Sequence, residues 1–360
     1  MKRLLFICHG AGNGGAERVI TTLSSEFAKR NYEVLLVTTN ADHNDYDIYE
    51  KVKRKRIICD KGNKLTRTIS RITMLRSCIK EFNPDVIISF SSIPNIQSII
   101  ASILMRSKII ISERTDPSKY PSSMIGKALR RILYPIADRI VFQTQDAMNY
   151  FDVSISKKGT IIPNPIRDDL PERHDGEREK RIIGIGSLGE QKNWIMALKA
   201  CEIFFQHHPD YIFELYGEGP HRSMLQDIIN KSSVLSSRVY LKGFSKDVVN
   251  ILQKSAIYLS TSKYEGISNS MLEALAVGTP VICTDCPVGG ARQYIVNGQN
   301  GFLVQIDDYM YMAELMCKLI SDKNLSMNFS VKATQIRHEL RLNKILDMWE
   351  KEVISLCLMQ

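Results

Sequence analysis

The chain has 360 residues, of which 44% are hydrophobic and 24% are charged. This composition excludes a largely disordered chain, a collagen-like repeat and a polytopic membrane protein, and the length predicts about two domains. The net charge of +9 is uneven, because residues 1–165 hold 26 Lys and Arg against 15 Asp and Glu, whereas the rest holds 22 against 24. We therefore expect the first half to face a membrane surface, a nucleic acid or a phosphorylated substrate.

Short apolar, β-branched runs alternate with helical patterns along most of the chain. In the first half, these runs predict strands at 4–8, 33–39, 86–90, 108–112 and 140–143. Helical periodicity predicts helices at 16–29 and near 65–81, 95–105 and 123–135. The alternation restarts after a charged stretch, with strands expected at 181–185, 211–216, 239–242, 257–260, 281–284 and 302–305. Such alternation is typical of parallel sheets covered by helices on both faces.

These patterns predict an α/β protein with two doubly wound domains that face each other. The basic first domain is expected at 1–165, a linker at 166–180, the second domain at 181–340 and a final helix within 341–360. Ligands of such sheets bind outside the carboxyl ends of the strands. The functional residues are therefore expected in the loops that follow the strands.

The uncharged run at 86–105 has the length of a membrane span but contains five serines and Pro94. It is therefore predicted to be a buried strand followed by a helix. Only five apolar residues follow Met1-Lys2-Arg3, so no signal peptide is expected. Eight cysteines, mostly in apolar runs, predict free thiols and a reducing cytoplasm. The single CxxC, Cys283–Cys286, has no second pair and no nearby histidine, so no metal site is expected.

The loop after the first strand is rich in glycine. Gly10, Gly12 and Gly15 fit a GxGxxG pattern ahead of a helix, where glycines allow close approach of a phosphate and the helix start offers N–H groups. The alternative is a turn that only packs strand on helix. A dinucleotide site would need an acidic residue at the end of the second strand. That strand ends in Thr38-Thr39-Asn40, and Asp42 belongs to the following loop, so an NAD site is disfavoured.

Two loops of the second half carry charged residues at strand ends. Lys192 precedes a helix, where a lysine suits a diphosphate, although a solvated surface lysine is the alternative. Glu265 follows a strand, and Glu273 stands eight residues later in the next helix. Carboxylates accept hydrogen bonds from sugar hydroxyls while N–H groups at a helix start hold phosphates, so this segment suits a nucleotide sugar. Alternatively, Ser270 and Glu273 form a capping box, which would make Glu273 structural.

The segment Glu265-x7-Glu273, followed by Ala-Leu-Ala-Val-Gly-Thr-Pro, resembles the signature of the retaining family-4 glycosyltransferases with the GT-B fold. Similar matches occur in order along nearly the whole chain, at 14–18, 162–165, 186–193, 217–220 and 286–292. The chain is most similar to bacterial enzymes that build capsule, O-antigen or lipid-linked oligosaccharides. The resemblance implies two facing Rossmann-like domains and a C-terminal helix that crosses back to the first domain.

The resemblance also implies a role for each matching position. Glu273 would bind the ribose hydroxyls, Glu265 would hold the transferred sugar and Lys192 would neutralise the departing diphosphate. Phe244 would lie near the base. Backbone contacts to the donor are implied for Gly14, Gly15, Gly266, Ile267, Ser268 and Asn269. Such enzymes need no metal, so no cofactor is expected beyond the nucleotide sugar, which is a substrate.

One donor-binding position departs from the family pattern. The family usually has an arginine where Ser187 stands, and the loss of that cation should weaken stabilisation of the leaving group. We hypothesise that Arg114, in the loop 112–116 of the first domain, supplies the missing charge as a catalytic residue beside Lys192 and Glu265. The alternative is a local ion pair between Arg114 and Asp116.

The expected function is transfer of a hexose or N-acetylhexosamine, with retention, from a nucleotide sugar to a saccharide or a polyprenyl-diphosphate-linked acceptor. A UDP-sugar is preferred as donor because similar enzymes that build lipid-linked glycans often use one. The resemblance implies front-face attack, in which a donor phosphate accepts the acceptor's proton. Two rival functions are a nucleotide-sugar-binding protein without turnover, suggested by Ser187, and an NAD-dependent epimerase or dehydrogenase. The latter predicts a Tyr-x-x-x-Lys pair, which Tyr46, Tyr120 and Tyr264 do not form.

Basic segments of the first half predict binding to anionic lipid. They are the cluster at 51–56, the helix bearing Arg67, Arg71, Arg76 and Lys80, and the segment 127–134. Basic amphipathic helices bind such surfaces at about 1 kcal/mol per cation. The alternative is a cationic face that is only solvated. We therefore expect a cytoplasmic protein, peripheral on the inner face of the cell membrane. Nucleic-acid binding is not expected, because aromatic residues do not interleave with the basic runs.

Overall fold

The computed structural model describes residues 1–12, 14–40, 46–245 and 247–358. Its helices and strands fall into two compact units, one formed by Met1–Pro165 with Asn343–Gln360 and the other by Ile166–Leu342. Each unit contains one parallel sheet whose strands are connected largely through helices. This confirms the predicted α/β class, in which hydrophobic strands are buried between layers of helices.

The first unit places seven strands, among the residues described, in one parallel sheet. They are β1 (Arg3–Cys8), β2 (Glu33–Thr38), β3 (Lys53–Arg56), β4 (Val86–Phe90), β5 (Lys108–Ser112), β6 (Arg139–Phe142) and β7 (Gly159–Ile161). Their spatial order is β3-β2-β1-β4-β5-β6-β7. The helices of this unit are α1 (Gly15–Lys29), α2 (Lys64–Phe82), α3 (Ser92–Ser102), α4 (Met124–Leu133), α5 (Gln145–Asn149), α6 (Val153–Ser156) and α14 (Leu342–Cys357).

The core of the first unit lies on the central strands, and α14 contributes to it. Residues 4–7 of β1 have no exposed surface. Trp349 of α14 is fully buried, and its ring centroid lies 5.5 Å from that of Phe90. On the outer side of α14, Asp347 forms an ion pair of 2.7 Å with Arg30. The apolar stripe of the last helix therefore packs on the first unit.

The second unit has a six-stranded parallel sheet among the residues described. Its strands are β8 (Glu179–Ile185), β9 (Ile212–Tyr216), β10 (Val239–Gly243), β11 (Ser255–Ser260), β12 (Val281–Thr284) and β13 (Phe302–Val304), in the order β10-β9-β8-β11-β12-β13. Its helices are α7 (Trp194–His207), α8 (Arg222–Lys231), α9 (Val248–Lys254), α10 (Asn269–Ala276), α11 (Tyr309–Ser321), α12 (Lys323–Ala333) and α13 (Ile336–Glu339).

Each sheet has a point at which the strand order reverses. In the first unit β1 lies between β2 and β4, and in the second β8 lies between β9 and β11. Loops that leave neighbouring strands in opposite directions open a crevice at the carboxyl edge of the sheet. The glycine-rich loop after β1 and the loops after β8 and β11 leave the sheets at these points.

Two strands of the first unit were not predicted. The basic cluster at 51–56, expected as a charged surface, contains the edge strand β3, whose four residues are all exposed. Lysines on an edge strand hinder pairing with another chain, and Lys53 forms an ion pair of 2.7 Å with Glu33 of β2. The second unpredicted strand, β7, has three residues. Neither strand carries the apolar run from which the other strands were predicted.

The segment predicted as a linker, 166–180, is part of the second unit. The Ile166 N–H donates to the Leu340 carbonyl at 2.8 Å. The Arg178 guanidinium donates to the Gln253 carbonyl at 2.7 Å and to the Ser330 hydroxyl at 3.0 Å. These hydrogen bonds, together with the start of β8 at Glu179, explain why segment 166–180 belongs to the second unit.

The uncharged run at 86–105 forms β4 and most of α3, as predicted. Within the described parts of the chain, every helix is too short or too polar to cross a bilayer.

Candidate active site

Hydrogen bonds join the loops that leave β8 and β11. The Lys263 N–H donates to the Gln191 carbonyl at 2.8 Å, and the Gln191 side chain donates to the Tyr264 carbonyl at 3.0 Å. The Thr261 hydroxyl donates to the Lys192 carbonyl at 2.8 Å. Because these bonds fix the backbone on both sides, Lys192 is presented to the Glu265 loop in a defined position.

A third loop, after β12, packs against the Glu265 segment. The Glu265 N–H donates to the Pro287 carbonyl at 3.0 Å, and the Thr284 hydroxyl donates to the Ser262 carbonyl at 2.6 Å. A Cβ at Gly290 would overlap the Gly266 carbonyl oxygen. The close approach of these two loops therefore requires glycine at position 290.

Gly290→Ala is expected to destabilise the second unit, because overpacking a tight contact typically costs about 1–3 kcal/mol. The measurement is the midpoint of the thermal transition, with Gly189→Ala as the matched control. Gly189 has φ −132° and nothing within 4 Å of an added Cβ. Equal midpoints for the two variants would show that the contact is not rigid.

The central feature of the site is an ion pair between Lys192 and Glu265. Their side chains are 13% and 21% exposed, so both groups are partly desolvated yet reachable from solvent. The Ser262 hydroxyl donates to the same Glu265 carboxylate at 3.1 Å. An incoming anion would compete with Glu265 for Lys192, and a hydroxyl-rich ligand would compete with Lys192 for Glu265. The pair is thus able to bind a ligand that carries both chemistries.

Glu273 lies in the second turn of α10 and is 4% exposed. The capping-box alternative is wrong, because the N-cap of α10 is Ser268, whose hydroxyl accepts from the Met271 N–H at 3.4 Å. Ser270 instead hydrogen-bonds the Tyr258 hydroxyl at 2.8 Å and donates to the Ile185 carbonyl at 3.3 Å. Glu273 is therefore not the capping partner of Ser270, and its helix is tied to the end of β8.

The predicted phosphate-binding backbone lies at the start of α10. Ile267 and Ser268 are buried, and Asn269 is the first helical residue. The positive end of the helix dipole lies here and favours an anion. In the loop after β8, Ser187 is exposed and its carbonyl accepts from the Trp194 indole N–H at 3.0 Å. Phe244 directly follows β10 and is 57% exposed.

In the first unit, the glycine-rich loop leads directly into α1. Gly14 is the N-cap in an extended conformation, and Gly15 is the first helical residue. The Arg18 N–H donates to the Gly14 carbonyl at 3.0 Å, as the first turn of a helix requires. Gly14 and Gly15 thus occupy a helix start, whereas Asn13 lies outside the described residues. The anion-binding role of this loop stays a prediction.

Arg114 is buried at the carboxyl end of β5. Its guanidinium donates to the Asn164 side chain and lies 4.5 Å from the centre of the Phe90 ring. Burial lowers the pKa of Arg114 to about 9. Asp116 instead accepts from the Ser118 N–H at 2.8 Å. The alternative of a local Arg114–Asp116 ion pair is wrong, since no such pair joins these two described residues.

Beside Arg114, Glu113 is a buried carboxyl that sequence reasoning did not select. The Ser92 hydroxyl donates to it at 2.9 Å, and the Tyr134 hydroxyl also donates to it. Burial raises the pKa of Glu113. Ser262, Gln191 and the other loop-fixing residues were also missed, because short polar residues in loops carry no distinctive sequence signal.

Two arginines of the predicted lipid-binding surface are committed to internal bonds. Arg76 donates to the Ala101 and Ile103 carbonyls at 3.0 and 2.8 Å, at the end of α3. Arg130 is buried and donates to the carbonyls of Pro117 and Tyr120. Arg76 and Arg130 are therefore not expected to contact a membrane surface. Among the described residues, no three His, Cys, Asp or Glu side chains are grouped as metal ligands would be.

Family models match both units of the chain. The model described as Glycosyltransferase Family 4 matches residues 13–170, and the model described as Glycosyl transferases group 1 matches residues 166–336. Together they cover the two units in order, including the loops that carry Lys192, Glu265 and Glu273.

Relatives and solved structures match over the whole length. The chain is 26% identical, over 98% of each chain, to the GalNAc-α-(1→4)-GalNAc-α-(1→3)-diNAcBac-PP-undecaprenol α-1,4-N-acetyl-D-galactosaminyltransferase of Campylobacter jejuni. It is 25% identical to the amylovoran biosynthesis glycosyltransferase AmsD of Erwinia amylovora, over 97% of this chain and 99% of the relative. HepE from Anabaena, solved in complex with UDP-glucose, superposes with a TM-score of 0.82 at 16% identity, over 99% of this chain and 100% of the other. The chain therefore belongs to the glycosyltransferases that combine a family 4 domain with a group 1 domain, and it is an enzyme of this class with the GT-B fold.

Proposed function

We propose that this glycosyltransferase transfers a hexose or N-acetylhexosamine from a UDP-sugar to a saccharide carried on a polyprenyl diphosphate. The observation that carries the proposal is the ion pair between Lys192, in the loop after β8, and Glu265, in the loop that leads from β11 into α10. A sugar diphosphate offers an anion to Lys192 and hydroxyls to Glu265. The undecaprenol-linked substrate in the name of the Campylobacter relative and the UDP-glucose bound to HepE support this choice of acceptor and donor.

Each site residue then has a proposed task. Glu273 accepts hydrogen bonds from the ribose, and Phe244 lies near the base. Lys192 stabilises the negative charge that grows on the departing diphosphate. Glu265 orients the transferred sugar once the diphosphate has taken its place beside Lys192. Donor contacts are also proposed for Gly14, Gly15, Ser187, Gly266, Ile267, Ser268 and Asn269.

The proposed reaction retains the anomeric configuration by front-face attack. The bond between the anomeric carbon and the diphosphate oxygen breaks, and the acceptor oxygen bonds to the same face of that carbon. The acceptor's proton passes to a phosphate oxygen of the leaving UDP. Positioning and electrostatic stabilisation then supply most of the rate enhancement, and no metal or other cofactor is required.

The test is transfer from a panel of UDP-sugars to a polyprenyl-diphosphate-linked saccharide. We expect UDP release that depends on the acceptor, unchanged activity after EDTA treatment, and an α-linked product from an α-linked donor by NMR. The rival candidate, a nucleotide-sugar-binding protein without turnover, is suggested by Ser187 in place of a second cation. It predicts binding of a UDP-sugar with no acceptor-dependent release of UDP.

Arg114 is the proposed second cation, and it gives the reaction a pH dependence. Its pKa of about 9 means that the positive charge is lost as the pH rises through that value. We expect Arg114→Gln to lower kcat and to remove the fall in wild-type activity above about pH 9. Because the folded pKa lies below the ordinary value, this group favours the folded state more as the pH rises, so its deprotonation does not unfold the enzyme. The same alkaline limb in wild type and Arg114→Gln would contradict the assignment.

A peripheral position on the cytoplasmic face of the membrane belongs to the same proposal. The first unit carries the basic excess of the chain, and the four residues of β3 are exposed. Anionic lipid would attract such a surface and bring the enzyme to a lipid-linked acceptor.

A further inference from the structure

Helix α4 of the first unit turns its apolar side chains toward solvent. Met124, Ile125 and Ile132 are 78%, 75% and 68% exposed, and Ile136, just after the helix, is 52% exposed. At 100° per residue, Met124, Ile125 and Ile132 fall within one third of the helix circumference. A surface helix normally buries such a stripe. The orientation of α4 is therefore the reverse of that expected for a helix that only supports the fold.

The opposite side of α4 is fixed by a buried arginine. Arg130 is 3% exposed, donates to the carbonyls of Pro117 and Tyr120 at 2.8 and 2.7 Å, and lies 4.9 Å from the centre of the Phe151 ring. Gly126 is buried on this side as well. Rolling the helix to bury its isoleucines would pull the Arg130 charge away from these acceptors and expose them unpaired. The apolar face is thus held outward by the structure beneath it.

Cations accompany the apolar face. Arg131 is exposed and pairs with the exposed Asp152 at 2.9 Å, and Lys127 reaches the Ser118 carbonyl at 2.7 Å on the surface. Lys119, in the preceding loop, is also exposed. Apolar side chains bordered by lysine and arginine are typical of helices that lie in the interface of an anionic bilayer, with the apolar face buried about 5–10 Å into the boundary between headgroups and acyl chains. The charge of the first unit favours this partner over an uncharged protein surface.

We propose that α4 and the turn that follows it insert into the surface of an anionic bilayer, with Met124, Ile125, Ile132 and Ile136 as the inserted side chains. This inference rests on the proposed lipid-linked acceptor, and it adds a hydrophobic contact to the electrostatic attraction of the basic segments. Salt screens attraction between exposed charges but not the burial of apolar surface. Part of the binding should therefore survive at high salt.

The first experiment places a fluorescent reporter on the helix. Ile132→Trp is mixed with vesicles of equal parts phosphatidylglycerol and phosphatidylcholine whose acyl chains are brominated. The native Trp194 and Trp349 are buried and supply a constant background. We expect a blue shift and quenching for Ile132→Trp and neither for the matched control Met310→Trp, which is placed on the second unit at a position that is 62% exposed. Absence of quenching with Ile132→Trp would overturn the proposal.

The second experiment measures flotation with the same lipids, unbrominated, at 0.1 and 0.5 M NaCl. We expect the fraction of protein that floats at 0.5 M NaCl to fall at least fivefold in the double variant Ile125→Ser/Ile132→Ser. In Met310→Ser this fraction should stay as in the wild type. The proposal would be overturned if the wild type does not float and sediments as a dimer, while the double variant sediments as a monomer. That result would assign the apolar face to contact with a second copy of the chain. Titration with UDP-sugar separates the two claims. A double variant that binds the donor but has lost the salt-resistant flotation supports the membrane contact. Quenching of Ile132→Trp without transfer of any sugar refutes only the proposed function.

Discussion

Lys192→Met is expected to lower kcat about a hundredfold to a thousandfold, the usual effect of removing one preorganised charge stabiliser. The reason is that Lys192 is the cation paired with Glu265 in the loop that leads into α10, and Ser187 supplies no second charge in the loop of Lys192. The measurement is steady-state transfer from a UDP-sugar, with circular dichroism to verify folding.

Lys263→Met provides the matched control. Lys263 lies in the same loop cluster and faces Glu190 at 3.6 Å, but its side chain is 39% exposed. We expect its kcat to remain within about threefold of wild type, since exposed ion pairs contribute little. A Lys192→Met enzyme as active as Lys263→Met would remove Lys192 from the catalytic machinery.

Glu273→Gln is expected to raise the dissociation constant for UDP by about tenfold to a hundredfold. A carboxylate that accepts hydrogen bonds from two ribose hydroxyls contributes about 1.5–3 kcal/mol, which corresponds to this range. Calorimetric titration of UDP into the purified protein measures the effect directly.

The control for this substitution is Glu214→Gln on β9. Glu214 is also buried, and it pairs with Arg181 at 3.0 Å. We expect Glu214→Gln to lower the melting temperature while the affinity for UDP stays unchanged, because the carboxylate is engaged within the fold. Equal loss of UDP affinity in both variants would mean that Glu273 acts through stability alone.

Most of the fold could be predicted because buried strands and helices leave recognisable patterns of apolar residues in the sequence. The runs at 4–8, 86–90 and 257–260 are strands because their hydrophobic side chains are covered on both faces. Edge strand β3 could not be predicted in this way, since Lys53–Arg56 pair through backbone groups while their side chains stay in solvent.

The main residues of the candidate site were predicted from the sequence, but the contacts between them were not. Lys192 and Glu265 were each selected, yet their ion pair depends on hydrogen bonds between loops 73 residues apart in the chain. The alternative Ser270 capping box would have started the helix two residues after its observed start at Asn269, whereas the observed N-cap is Ser268, an equally good capping residue. The environment of Arg130 was not predicted either. Its position in a basic segment suggested an exposed cation, but tertiary contacts bury it.

A crystal structure of the enzyme with a bound UDP-sugar would show whether Lys192, Glu265 and Glu273 together bind the donor. We predict that the ribose hydroxyls lie within hydrogen-bond distance of Glu273, that the diphosphate contacts Lys192, and that Glu265 has left Lys192 for the sugar. A nucleotide bound away from the start of α10, with Lys192 still paired to Glu265, would mean that these residues do not form the donor site.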